Sequence, residues 1–397
     1  MKKVAVAGFG VVGGGVADIL VRNAAQIEKK TGQPVELGYI IDLRDFPDSP
    51  YADKLVKDFA AAERDPEVAV VVEAIGGCGA ALSICTRALQ AGKSVVTSNK
   101  QLVAEHGREL IALAKEKGVN FLFEASVGGG IPLLHPLNRC LAANELTEVS
   151  GILNGTTNYI LTQMLEQGAD YGAALKEAQR LGYAEADPTA DVAGIDAGRK
   201  TCILADLAFG KNVSPANVSM EGITKITALD AAFAESAGMK IKLLGRAVRQ
   251  DGKQFAFVSP HFVPDSALLA HVSDVFNAAV VKGSEVGEVL FYGPGAGRFP
   301  TASAVVGDII DVLANPGRPQ PADWSGEEAE LAAAETFRTG WFFRTAEARQ
   351  DVEAKLGKVT WLPDQGTVHG GLLPEQTKEK ILAAGFQPDA LWPVYGG

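Results

Sequence analysis

The feature that most constrains this chain lies in its first residues: the apolar run Val4-Ala5-Val6-Ala7 leads directly into Gly8-Phe9-Gly10-Val11-Val12-Gly13, and the stretch from Val16 to Ala25 then has helical character. A strand, a G-x-G-x-x-G turn and a helix in that order form the dinucleotide-binding fingerprint. The glycines permit a tight turn and let backbone amides approach a pyrophosphate, whose charge sits at the positive end of the helix. Gly8, Phe9, Gly10, Val11, Val12 and Gly13 are therefore the expected cofactor contacts.

Short apolar runs recur at 35–41, 69–75, 94–97 and 120–123, separated by helix-capable segments and lacking period-two polarity. Such alternation predicts an α/β fold with a doubly wound parallel sheet of the Rossmann type, its strands covered on both faces. This N-terminal domain is expected over residues 1–130, completed by about 298–315. After 131 the pattern changes to helices near 133–143, 156–167, 171–181 and 194–209, then to β-rich stretches at 255–258 and 289–292. A second, α+β domain is expected over 131–297. The Pro/Gly-rich stretch 314–321 has the composition of a linker and precedes a short C-terminal segment, 325–397. A chain of 397 residues is also longer than one core usually serves.

The formal charge of -11 disfavours nucleic acid and anionic membrane as partners. No apolar run reaches the roughly 18 residues of a membrane span. Met1-Lys2-Lys3 runs straight into the first strand and leaves no room for a signal-peptide core, so cytoplasmic residence is expected. Cys78, Cys85, Cys140 and Cys202 lack C-x-x-C spacing, which predicts reduced, buried thiols rather than a zinc site or disulfides.

Asp42 ends the second strand, where a carboxylate would meet an adenosine ribose hydroxyl and favour NAD, although the spacing from Gly13 exceeds the usual roughly 20 residues. Arg44 suits a 2′-phosphate instead, so NADP stays open, as does ordinary solvated loop charge for both residues. Gly76 and Gly77 follow the third apolar run at the carboxyl edge of the sheet, either passing close to ribose and nicotinamide or forming a plain strand-to-helix turn. Lys100 leaves the carboxyl end of the next strand and is expected beside the nicotinamide. Farther on, helical spacing puts Asp196, Lys200, Ile203 and Leu207 on one face. An acid–lysine pair that continues into an apolar stripe implies a partly desolvated lysine, and burial eases release of its proton.

The segments Gly151-Ile-Leu-Asn-Gly-Thr-Thr-Asn-Tyr-Ile-Leu161 and Leu181-Gly-Tyr-Ala-Glu-Ala-Asp-Pro188, followed by Asp191 through Lys200, resemble homoserine dehydrogenase. The resemblance covers about residues 1–315, including 97–100, 124–132 and the Gly293-Pro-Gly-Ala-Gly297 turn with Pro300-Thr301. It implies hydride transfer between a nicotinamide and the carbon that interconverts L-homoserine and L-aspartate 4-semialdehyde. By the same resemblance Lys200 is the proton donor to the developing alkoxide, Lys100 is the second lysine at the reacting oxygen, and Asp196 orients Lys200 and positions substrate. Glu185 would accept from the substrate ammonium, Asp191, Gly155 and Thr156 would line the pocket, and Gly182 and Gly297 would approach the cofactor. The family's monovalent cation, sodium, maps onto Glu124, Val127, Gly129 and Ile131, mostly through backbone carbonyls. A homodimer formed through the second domain is implied as well.

Many members end in a regulatory ACT domain with a Pro-Gly-Val-Leu-Ala signature, which 325–397 lacks; Gly340-Trp-Phe-Phe-Arg344 would begin a diverged version of it. Two other readings fit the N-terminal half alone: a Rossmann-type dehydrogenase of another small amino-acid aldehyde, and a non-catalytic dinucleotide sensor. The Asp196–Lys200 helix argues against the sensor, and the segment 151–187 narrows the substrate.

Overall fold

The structure is a computed structural model that describes residues 1–317 and 324–396. Positions 318–321 of the expected linker lie outside the described residues. The chain forms two compact units, Met1–Ala143 with Phe209–Ser214 and Gly293–Glu328, and Asn144–Ala208 with Pro215–Tyr292 and Ala329–Gly397.

In the first unit the elements run β1 (Lys2–Ala7), α1 (Val11–Arg22), α2 (Ala24–Thr31), β2 (Val35–Ile41), β3 (Leu55–Val56), α3 (Ala60–Arg64), β4 (Val68–Glu73), α4 (Gly79–Gln90), β5 (Ser94–Thr97), α5 (Lys100–Lys117) and β6 (Phe121–Leu122). The sheet is parallel in the order β3-β2-β1-β4-β5-β6. That is the doubly wound order, and its switch point, where ligands of such folds collect, lies between β1 and β4. A helix from far along the chain, Arg298–Ala314, packs on α1 and adds Ala302, Val305, Val306 and Ile309 to the core under β1 and β4. This contact explains the glycines beyond the fingerprint: a Cβ on Gly15 would stand 3.0 Å from the Ala302 Cβ.

Two expectations change here. The two-residue edge strand β3 was not anticipated, because its apolar pair sits in a polar stretch. The helix expected near 133–143 is only a π-helical turn at Pro136–Cys140, since Pro132 and Pro136 remove donors and fix the backbone where a longer helix would need them.

In the second unit, β7 (Leu146–Ile152) is followed by α6 (Gly155–Gln167), α7 (Tyr171–Arg180), α8 (Thr189–Val192), α9 (Ile195–Phe209), β8 (Ser219–Met220) and α10 (Ala228–Ser236). Then come β9 (Met239–Gln250), β10 (Lys253–Pro264), β11 (Phe276–Gly283) and β12 (Gly287–Pro294). Residues after 337 form β13 (Arg338–Thr345), a helix at Arg349–Leu356, β14 (Thr360–Trp361), β15 (His369–Thr377), a helix at Lys378–Ala383 and β16 (Ala390–Val394). These strands make one mixed sheet, β12-β11-β7-β9-β10-β16-β13-β15-β14, with β8 on β10. The C-terminal strands follow a β-α-β-β-α-β course and join the rest where β16 pairs with β10 at Phe262↔Val394. The Phe262 and Phe342 rings stack 3.9 Å apart behind that seam.

Among the described residues no helix is long and apolar enough to cross a membrane. The expectation of four buried thiols holds for Cys85 and Cys202, whereas Cys78 is half-buried and Cys140 exposed.

Candidate active site

The fingerprint turn of the first unit is built on steric necessity. Gly8 has φ 93°, and a Cβ there would stand 2.5 Å from the Ala74 carbonyl oxygen; a Cβ on Gly13 would stand 1.8 Å from the Gly8 oxygen. Gly10, Gly76 and Gly77, by contrast, border open space, with nothing within 4 Å of an added Cβ. Gly10 caps α1 without a side-chain hydrogen bond, so the first amides of that helix have no side chain competing for them. Tight glycines that shape the turn and open ones on its outer side make a cradle that fits a pyrophosphate.

Asp42 is the pivot of this turn. Its Oδ2 accepts from Phe9 N at 2.8 Å and from Arg44 Nη2 at 2.8 Å, while Oδ1 accepts from Arg44 N at 2.9 Å and Arg44 Nε at 3.1 Å. The Arg44 guanidinium, helped by the backbone donors, holds the Asp42 carboxyl far below the usual carboxylate range despite partial burial. Sequence reasoning placed Asp42 and Arg44 as rivals for one ligand; the structure pairs them.

Lys100 begins α5, and a network set by Glu73 positions it. Glu73 is fully buried; Oε1 accepts from Ile75 N at 2.8 Å and Gly76 N at 3.2 Å, and Oε2 accepts from Thr97 Oγ1 at 2.6 Å. Thr97 Oγ1 accepts from Asn99 N at 2.9 Å, and Asn99 caps α5 through Leu102 N while donating 2.6 Å to the Gly77 oxygen. The glycine turn and the start of α5 are thus held by one chain of bonds. Glu73 and Asn99 were missed as site residues; the signals were a carboxylate closing an apolar strand and an N-cap residue before a helix.

Glu124 lies buried below a tight turn. Its carboxylate accepts from Leu133 N at 2.5 Å, Leu134 N at 3.0 Å and His135 N at 2.6 Å, and Asp308 accepts from Glu124 N at 3.0 Å. Burial raises the Glu124 carboxyl above its ordinary range even though the three amides oppose this. Val127, Gly129 and Ile131 are buried too, and Gly128 and Gly129 hold φ of 75° and 56°. The glycines form a packed turn, since a Cβ on Gly129 would stand 2.5 Å from the Gly295 oxygen.

In the second unit Lys200 and Asp196 are 8% and 6% exposed. Lys200 Nζ donates to Asp196 Oδ2 at 2.8 Å and to the Leu153 carbonyl at 2.6 Å. Helix α9 is buried on nearly every side rather than along one stripe, and Leu207 is only half-buried. Asn154 completes the cluster. As N-cap of α6 it accepts from Thr157 N at 2.8 Å, and its Nδ2 donates 2.7 Å to Asp191 Oδ1 and 2.9 Å to Asp196 Oδ2. It was not among the expected site residues, although an Asn before a helix-forming run is an N-cap signal.

Gly155 follows the cap, where a Cβ would stand 2.6 Å from the Val275 oxygen. Thr156 Oγ1 donates 2.6 Å to the Tyr183 oxygen, tying α6 to the segment that carries Glu185. Glu185 itself is exposed. Gly182, with φ 78°, follows the end of α7, and Gly297, with φ 120°, precedes the helix Arg298–Ala314. A buried ammonium held by a carboxylate that shares the Asn154 amide donor with a second carboxylate, Asp191, can deliver and recover a proton at an oxygen.

Comparison with known proteins agrees with this reading. The family model for homoserine dehydrogenase matches residues 132–310, and that for the homoserine dehydrogenase NAD binding domain matches residues 8–124. The homoserine dehydrogenase of Pseudomonas aeruginosa is 45% identical over 78% of this chain and 72% of its own length. That of Corynebacterium glutamicum is 41% identical over 89% and 80%. A crystal structure of a homoserine dehydrogenase from Thiobacillus denitrificans superposes with a TM-score of 0.91 at 35% identity, covering 99% of this chain and 98% of that one. With both family models in register, relatives alike over most of their length and a solved fold alike over nearly all of it, the chain belongs to the homoserine dehydrogenase family of oxidoreductases.

Proposed function

We propose that this chain interconverts L-homoserine and L-aspartate 4-semialdehyde, with Lys200 as the proton donor and acceptor and Asp196 as the group that orients it. The observation that carries the reading is the buried Lys200–Asp196 pair, 2.8 Å apart and braced by the Leu153 carbonyl. Reduction of an aldehyde builds negative charge on its oxygen; an ammonium fixed there stabilises that charge and supplies the proton, and in oxidation the amine takes it back. The nicotinamide, when bound, supplies or takes up the hydride. Lys100 is the second lysine of the reaction. Asp191, joined to Asp196 through Asn154, and the exposed Glu185 receive the substrate ammonium, with Gly155 and Thr156 shaping the wall.

The open glycines Gly10, Gly76 and Gly77 would hold the dinucleotide, with Gly297 at the start of the neighbouring helix and Gly182 contributing to its contacts. NAD is the favoured cofactor: the Asp42 carboxylate stays ionised, suits a ribose hydroxyl and repels a 2′-phosphate, while Arg44, bound to it, limits how strict the choice is. Homoserine should therefore reduce NAD more efficiently than NADP, and Asp42→Ala should narrow that difference. A ratio of efficiencies unchanged by Asp42→Ala would remove Asp42 as the ribose ligand, and no homoserine-dependent reduction of either cofactor by folded protein would remove the whole reading.

The buried turn at Val127, Gly129 and Ile131 above Glu124 supports a sodium site formed mainly by carbonyl oxygens, and turnover that is the same in sodium and choline salts would contradict it. Homodimer formation is supported by Phe276 and Tyr292, stacked 5.3 Å apart and partly exposed beside the edge strand β12; a monomer in sedimentation would contradict it. Cytoplasmic residence accompanies this reading, supported by four cysteines without disulfide-type spacing; recovery of the native protein in an extracytoplasmic fraction would contradict it.

A further inference from the structure

Cys78, Glu105 and His106 have no part in the chemistry above, yet the first unit brings them together. Cys78 caps the N-terminus of α4, and Glu105 and His106 lie in the second turn of α5, which packs against α4. One ligand-type atom from each, a sulfur, a carboxylate oxygen and an imidazole nitrogen, lies within 4.8 Å of the others, the only such trio of side chains among the described residues. Cys78 Sγ already stands 3.3 Å from Glu105 Oε2, to which it donates. That separation matches the edge of a zinc tetrahedron, about 3.5 Å for ligands at about 2.0–2.3 Å. His106 Nδ1 is buried and makes no hydrogen bond, and Glu109 Oε2 stands 3.5 Å from it. A carboxylate is therefore at hand to orient the ring or to approach a fourth position.

We propose that Cys78, Glu105 and His106 form a binding site for a divalent cation of the zinc class. Thiolate, imidazole and carboxylate together select a borderline-soft ion over magnesium or calcium. On binding, the S–H bond breaks, the sulfur–metal bond forms and the proton passes to solvent; no electron is transferred, and thiolate and carboxylate balance the charge of the ion. The ion would join the start of α4 to α5. The turn that leads from β4 into α4, Gly76-Gly77, is already tied to the N-cap of α5 by the 2.6 Å bond from Asn99 to the Gly77 oxygen. Occupancy would thus clamp a turn that borders the cofactor and slow turnover. The clamp rests on the cofactor reading of that turn; the site does not.

The test uses the full chain, reduced and freed of metal with EDTA, and titrated with zinc against a chromogenic chelator and with cobalt as a spectroscopic probe. One zinc equivalent and a thiolate-to-cobalt charge-transfer band are expected. Cys78→Ser should abolish the band, and His106→Ala should weaken zinc by at least the about 10- to 100-fold that loss of an outer-shell partner costs. Absence of the band, or equal zinc affinity in wild type and Cys78→Ser, would overturn the site. In the second arm zinc should slow homoserine-dependent turnover of the wild type, reversibly with EDTA, and leave Cys78→Ser at its own metal-free rate. Zinc that binds through Cys78 without slowing turnover would overturn the clamp and leave the site standing.

Discussion

Asn154 carries two duties at once, and they can be separated. As N-cap it saturates a helix amide; through Nδ2 it gives Asp191 and Asp196 a common donor. Asn154→Ala should cost about 1 kcal/mol of stability, the usual worth of a cap, and should also lower turnover. Asn154→Ser restores the capping oxygen but not the amide, so denaturant stability should return while turnover stays low; recovery of both would reduce Asn154 to a cap. Single residues also mark how far the sequence could be read. The Asp196–Lys200 pair was legible because four residues along a helix is a local relation. The bond from Asn154 to Asp196 was not, because it joins positions 42 apart whose meeting depends on how α6 and α9 are placed. The bond from Thr97 to Glu73 escaped for the same reason, since it joins neighbouring strands 24 residues apart whose pairing is set by sheet order.

The strand–turn–helix unit β1–α1 shows two kinds of glycine in one motif. Gly13→Ala places a methyl within the van der Waals surface of the Gly8 oxygen, so the turn must shift; a loss of stability of about 1–3 kcal/mol, typical of overpacking, should accompany weaker cofactor binding. Gly10→Ala meets nothing in the protein and should leave thermal stability nearly unchanged while weakening the cofactor. Equal stability losses in the two variants would contradict this division. The strands were legible because parallel, doubly covered strands read as unbroken apolar runs. The edge strand β3 and the π-helical turn at Pro136–Cys140 were not, since the first is made by pairing with β2 and the second by prolines acting on an otherwise helical pattern. In β10, His261 is fully buried, its Nδ1 3.5 Å or less from Ser259 acceptors, and burial together with the nearby Arg246 lowers it to about 3 from 6.5. The unfolded chain therefore takes up this proton first as pH falls. Its share of stability is complete above about 6.5 and is lost toward 3, at up to about 1.4 kcal/mol per pH unit. Glu148, lowered to about 2 because Arg246, Lys282 and Ser150 outweigh burial, adds a loss only below about 4.5. Denaturant titrations between pH 6 and 4.5 should show a shallower decline in His261→Gln than in wild type; parallel declines would place the acid sensitivity elsewhere.

On the scale of the whole chain, the N-terminal sheet and the helical start of the second unit follow from patterning, but the ending does not. The C-terminal strands carry glycine and proline within them, and their course becomes plain only where β16 meets β10 at Phe262↔Val394, residues far apart in sequence. The proposed activity nevertheless converges on one buried ammonium. The most direct measurement is the steady-state rate of homoserine-dependent nicotinamide reduction by wild type and Lys200→Ala, each with its fold and cofactor binding verified. General acid–base catalysis is typically worth about 10² to 10⁴ in rate. The wild type should turn over and Lys200→Ala should lose about that factor with cofactor affinity largely kept, and Lys200→Arg should also be slow, because a guanidinium stays protonated and presents different donors. Turnover in Lys200→Ala close to that of the wild type would contradict the account.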